Sequence, residues 1–115
     1  MHKVLLGVLF LTSSMFANEA TIEAVQVHKQ NGLYTFSVKI LHKDSGWKHY
    51  VNRYEVLDAD NNILATRTLW HPHEHEQPFT RSLSGVDVKN NTVVYVRAND
   101  SVDGYSRNFK VNLKK

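Results

Sequence analysis

Leu33-Tyr34-Thr35-Phe36-Ser37-Val38-Lys39-Ile40-Leu41-His42-Lys43 decides the fold. Tyr34, Phe36, Val38 and Ile40 fall on one parity, and Thr35, Ser37 and Lys39 on the other. Successive side chains of a strand point to opposite faces, so this period of two reads as a half-buried strand with an apolar core face. Upstream, Thr21 to Lys29 alternates in the same way, with Val25 and Val27 opposite Gln26 and His28. Gln30-Asn31-Gly32 between the two runs is a turn signal.

Downstream the pattern breaks at Asp44-Ser45-Gly46, and Trp47-Lys48-His49-Tyr50 follows. A third strand is expected from Val51 to Asp58. The polar turn Ala59 to Asn62 joins it to a fourth, Ile63 to Leu69, as a hairpin. Trp70 to Pro78 holds both prolines of the chain, which argues against a central paired strand there. Phe79 to Ser84 is the fifth strand, Val93 to Ala98 the sixth and Asn108 to Leu113 the seventh. In the sixth, Val94, Val96 and Ala98 face one way, with Val93, Tyr95 and Arg97 opposite. In the seventh, Phe109, Val111 and Leu113 face inward. No segment carries a helical repeat of apolar residues. The expectation is an all-β, seven-stranded antiparallel immunoglobulin-like Greek-key sandwich, with an eight-stranded barrel as the alternative.

Residues 1–17 are read as a signal peptide: a basic start at His2-Lys3, an apolar run from Val4 to Leu11, and a small-residue exit ending at Ala17. That run is shorter than the ~20 residues of a membrane span, so no membrane insertion is expected. Residues 18–115 then form one β-sandwich domain of 98 residues. Export points to the periplasm or the medium. Removing Lys3 with the leader takes the net charge from +3 to +2, which gives no electrostatic case for nucleic acid or an anionic membrane. The chain has no cysteine, which removes disulfides, thiolate ligands and a thiolate nucleophile.

If the strands run alternately up and down, alternate loops share an end. One end receives ordinary Asn, Asp and Gly turns. The other receives Asp44 to Tyr50, Trp70 to Pro78 and Asn99 to Ser106. These carry Trp47, Trp70, His49, His71, His73, His75, Asp44, Asp100, Asp103 and Tyr105. Rigid sandwiches carry binding residues on loops at one end. His71, His73 and His75 stand at i, i+2 and i+4, the same-side spacing of an extended segment. Imidazoles without sulfur suit Zn(II), Cu(II) or Ni(II). The candidate metal ligands are therefore His71, His73, His75 and His49, with Asp100 or Asp103 able to add an oxygen. Glu74 and Glu76 could orient the rings by hydrogen bonds. Trp47 and Trp70 are expected to cap the core, with a ligand platform as the alternative. Arg81 and Arg97 are expected to pair across strands with Glu55 or Asp87.

From Gly46 onward the chain resembles a family of small exported bacterial proteins of uncharacterised function. The resemblance rests on Gly46-Trp47, His49-Tyr50, Glu55-Val56, His71-Pro72-His73, Glu76-Gln77-Pro78-Phe79-Thr80-Arg81-Ser82-Leu83, Val96-Arg97-Ala98, Asp100-Ser101-Val102 and Gly104-Tyr105. It implies a compact exported β-domain and no particular reaction. His75 departs from the pattern, which favours His71 and His73. The loop also looks superficially like the iron site of superoxide reductase, but that site needs a cysteine ligand and this chain has none.

The sequence thus points to an exported monomer that binds a divalent metal, Cu or Zn, for periplasmic metal handling, and not to an enzyme. The alternative is an immunoglobulin-like module gripping a periplasmic protein partner through Trp47, Trp70 and Tyr105.

Overall fold

The computed structural model describes residues 20–113, all of it strand, turn and loop. The expected signal peptide, the residues just after it and the Lys114-Lys115 tail lie outside the described residues. Eight strands appear in chain order: β1 (Thr21–Gln30), β2 (Leu33–Leu41), β3 (Val51–Leu57), β4 (Ile63–Thr68), β5 (Phe79–Val86), β6 (Val93–Asp100), β7 (Gly104–Tyr105) and β8 (Phe109–Asn112). The strand count corrects the expected seven. The extra strand, β7, is two residues inside the last predicted loop, pairing Tyr105 with Asn99 and Gly104 with Asp100. No helix among the described residues is long and apolar enough to cross a membrane.

The strands form two antiparallel sheets, β1-β2-β5 and β4-β3-β6, with β7 and β8 both added to the free edge of β6. The fold is an immunoglobulin-like sandwich. Its first hairpin is set by local chemistry. Gln30 pairs with Leu33, leaving Asn31 and Gly32 as a two-residue loop at φ 56° and 82°. Both positive values are those of a type I′ turn, whose twist matches the flanking strands and which Asn-Gly favours.

The core lies between the sheets. Phe36, Val38 and Ile40 of β2 are fully buried, as alternation predicts, and so are Val94, Val96 and Ala98 of β6. Tyr54 and Val56 of β3 and Phe79 of β5 complete the centre. The Tyr54 hydroxyl crosses the core and donates to the Arg81 carbonyl at 2.8 Å, tying β3 to β5 in the other sheet. On the outer face of the larger sheet, buried Glu55 accepts from Arg53 Nε at 2.8 Å and Arg97 Nε at 2.9 Å. The Arg97 guanidinium stacks 3.6 Å from the Tyr105 ring centroid, and Tyr105 Oη accepts from Arg53 at 2.9 Å. The Arg97–Glu55 pair is the expected one. Arg81 instead grips Glu76 at 2.9 and 3.2 Å, and Asp87 accepts the Lys89 N–H of its own turn.

Candidate metal centre

The three loops assigned to one rim do meet. Asp44 Oδ2 accepts the His73 N–H at 2.7 Å, joining the β2–β3 and β4–β5 loops. Ser101 donates its N–H to the Tyr50 carbonyl at 2.9 Å and accepts the Tyr50 N–H on Oγ at 3.0 Å, joining the β2–β3 and β6–β7 loops. Within the first loop, Ser45 and His49 face each other across a tight turn, with His49 N–H on the Gly46 carbonyl at 3.1 Å. Gly46 has φ 124°, a region closed to side chains in practice, so glycine is what lets this turn send His49 back toward the sandwich.

At the bottom of the rim lies a buried cluster around His42. The period of two that buries Phe36, Val38 and Ile40 carries on past the end of β2 to His42 and Asp44. The inward run Val94, Val96, Ala98 of β6 ends likewise on Asp100. Both strands therefore finish their apolar faces with a buried polar residue, and the two residues meet. His42 Nδ1 lies 2.6 Å from Asp44 Oδ1, and Nε2 lies 3.0 Å from Asp100 Oδ2. His49 Nε2 approaches that same Asp100 oxygen at 2.9 Å and Asp103 Oδ2 at 3.5 Å.

Ionised carboxylates only accept, and a neutral imidazole donates from one nitrogen alone. A His42 ring facing a carboxylate at each end can donate to both only in its doubly protonated form. Burial opposes its charge, yet the Asp44 hydrogen bond and the Asp100 carboxylate outweigh burial and raise the His42 pKa above its ordinary 6.5. Burial works against the charge of Asp44 too, but His42, the His73 N–H and the Val51 N–H hold its pKa below 3.8. Asp100 is lowered in the same way: the Val102 N–H, His49 and His42 overcome its burial.

One ligand atom each from His42, His49 and Asp100 lie within 4.8 Å of one another, the one such group of three His, Asp or Glu among the described residues. Two ligand atoms each about 2.0–2.1 Å from one zinc stand roughly 3 Å apart, close to the spacing found between Asp100 and either ring. Asp44 on Nδ1 fixes the ring so that Nε2 faces the site, the usual carboxylate support of a metal-bound histidine. The donor set fits a divalent transition metal.

Of the sequence candidates, His49 and Asp100 belong to this group and Asp103 flanks it. His71, His73 and His75 are not gathered into it. His73 is buried and stacks on Phe79 with centroids 4.0 Å apart, so it gives the cluster its backbone N–H and not its ring. Its Nδ1 has no hydrogen-bond partner and is 3.8 Å from Asp44 Oδ2, beyond hydrogen-bond range. Burial first and the Arg81 charge second hold the His73 pKa below 6.5. His71 packs its ring 5.2 Å from that of His73 but is exposed, as is His75. The chain turns at Glu74-His75, with the Glu76 N–H 3.4 Å from the His73 carbonyl, which leaves His73 buried and His75 exposed instead of converging them. Glu76 is taken by Arg81. Trp47 and Trp70 do not cap the core: they are 67% and 74% exposed, and Trp47 meets Tyr50 edge to face. Tyr105 lies with Arg53, Arg97 and Glu55, away from the histidines.

Sequence reasoning counts His42 within the Leu33 to Lys43 run but does not single it out as a ligand. Its place in the alternation was the signal that could have found it.

Comparison with known proteins gives one relative to weigh beside this geometry. A protein of Halomicrobium mukohataei named "Putative lipoprotein" is 33% identical over 95 residues, which cover 82% of this chain and 47% of that protein. The chain thus spans about half the length of the curated relative it matches. No family model and no solved structure matches.

Proposed function

We propose that this is an exported β-sandwich that binds one divalent transition metal, Cu or Zn, and serves metal handling in the cell envelope. The observation that carries the reading is the meeting of two imidazole nitrogens on one buried Asp100 oxygen, with Asp44 fixing the inner ring. The leader-like start of the chain supports export, as does the lipoprotein name of the relative. The ligands in this reading are His42, His49 and Asp100. His71 and His75 are spectators.

Calorimetric titration with Zn(II) and Cu(II) tests it. One-to-one binding is expected. His49→Ala, a change at a part-exposed position, should weaken it by about a hundred-fold, whereas His71→Ala and His75→Ala should leave it within about two-fold. Binding that follows His71 and ignores His49 would sink the assignment.

The exposed indoles of Trp47 and Trp70 favour a second reading, an interaction module whose loops grip a protein partner. Absence of metal binding, together with partner binding lost on Trp47→Ala, would favour it.

A further inference from the structure

Resting on the metal reading above, we infer that the His42–His49–Asp100 set leaves the bound ion a coordination position open to solvent, and that this position takes a neutral nitrogen or oxygen donor from outside the chain. Divalent ions of this group take at least four ligands, and structural sites close the set with protein. Among the described residues, three ligand atoms cluster here. They are also unequally enclosed. The His42 and Asp100 side chains are 1% and 0% exposed, whereas His49 is 22% exposed and Asp103, beyond it, 43%. The inner half of the centre is walled by protein and the outer half faces water.

The inner half is also preset. Asp44 holds His42 Nδ1, and the Val102 N–H occupies Asp100 Oδ1 at 3.0 Å, which leaves Oδ2 for the ion. Asp103 stands at the mouth, 3.5 Å from His49 Nε2, and is not one of the three converging groups. Charge selects the incoming ligand. Asp100 contacts the dication, and Asp44 and Asp103 stand just beyond the ligands, so the three carboxylates together outweigh the ion by one charge. An anion entering there meets repulsion that a neutral donor does not. Such a position suits a protein that passes its metal on, because an incoming donor can bind before His49 lets go.

The test uses the full chain loaded with one equivalent of Cu(II), its stoichiometry fixed first by calorimetry. Bound copper should speed the relaxation of bulk water protons, the sign of an exchanging water on the ion. Imidazole should then shift the copper EPR spectrum to a single saturable end state and abolish that relaxation gain. Azide should need at least about ten-fold higher concentration to act. Asp103→Ala should keep copper affinity within about ten-fold and narrow the gap between azide and imidazole. Copper bound one-to-one, with no water relaxation gain and a spectrum that imidazole does not move, overturns the inference and leaves the metal reading intact. So does a larger loss of copper affinity in Asp103→Ala, which would make Asp103 the ligand that closes the site. Failure to bind copper removes this inference, and failure to bind zinc as well removes the metal reading with it.

Discussion

His42 sits at the centre of the buried polar cluster. Its ring bridges two carboxylates whose side chains are wholly buried, and their charges favour the imidazolium form of the ring. Deleting one member of a buried ion pair strands the other charge, which costs about 3–5 kcal/mol. His42→Ala should therefore lower the unfolding free energy by roughly that amount in urea melts made in chelator, and a loss under about 1 kcal/mol would contradict the bridging role. The pH dependence follows from the directions of the shifts. His42 has its folded pKa above 6.5, so its contribution is complete below 6.5 and is lost as pH rises through the folded value. His73 is the reverse: its pKa lies below 6.5, so its contribution is complete above 6.5 and is lost as pH falls through the folded value. Asp44 and Asp100, both held below 3.8, add stability that is complete above 3.8 and lost in stronger acid. Thermal stability of the metal-free protein should thus crest near pH 6.5. His73→Phe should flatten the slope on the acid side of the crest and His42→Gln the slope on the alkaline side. A melting temperature still climbing well above pH 6.5 would refute this.

Among the elements, the β2–β3 loop sets the position of His49, and Gly46 sets the loop. A Cβ at Gly46 would meet nothing nearer than Glu74 Oε2 at 3.9 Å, an ordinary contact, so space does not forbid a larger residue. The backbone does, since φ is 124°. Gly46→Ala should cost about 1–3 kcal/mol of stability through backbone strain alone. It should also weaken metal binding by displacing His49, which a paired measurement of melting and titration would show. Unchanged stability and affinity would mean that the turn does not need glycine. The β4–β5 segment behaves differently. Its histidines looked like the site because they are dense in sequence, but Gln77 and His73 spend their polar groups on bracing: Gln77 accepts the His42 N–H at 2.9 Å and donates to the His73 carbonyl at 2.9 Å. This segment is the wall of the centre and the β2 and β6 ends are its floor.

For the molecule as a whole, the two sheets must stay locked for the ends of β2 and β6 to meet. Most of the lock is the apolar interior, and Phe36→Ala at its centre should cost about 3–5 kcal/mol. One polar bolt adds to it. Tyr54 spans the interior to the Arg81 carbonyl, so Tyr54→Phe leaves that carbonyl short of a partner and should cost about 1–3 kcal/mol. If Tyr54→Phe melts like the parent, the bond adds nothing beyond packing. Because the sandwich scaffolds the centre, Phe36→Ala should also weaken metal binding in proportion to the fraction unfolded, whereas His49→Ala should weaken it in a fully folded protein. Circular dichroism beside the titration separates the two.

The sequence by itself determined the class of fold, the limits of seven of the eight strands to within a few residues, the Asn31-Gly32 hairpin and the gathering of three loops on one rim. Those features rest on local periodicity and turn chemistry, which act between residues close in the chain. Tertiary structure decided which polar groups converge. His42 and Asp100 are 58 residues apart in sequence and meet because two strands from different sheets end side by side over the core. It also turned His73 inward against Phe79, left both tryptophans in solvent, and drew Tyr105 onto the arginines of the outer face. Such choices follow from the packing of one sheet against the other and the loops that close over it. Local pattern names the inward positions of a strand but not the partner that waits there.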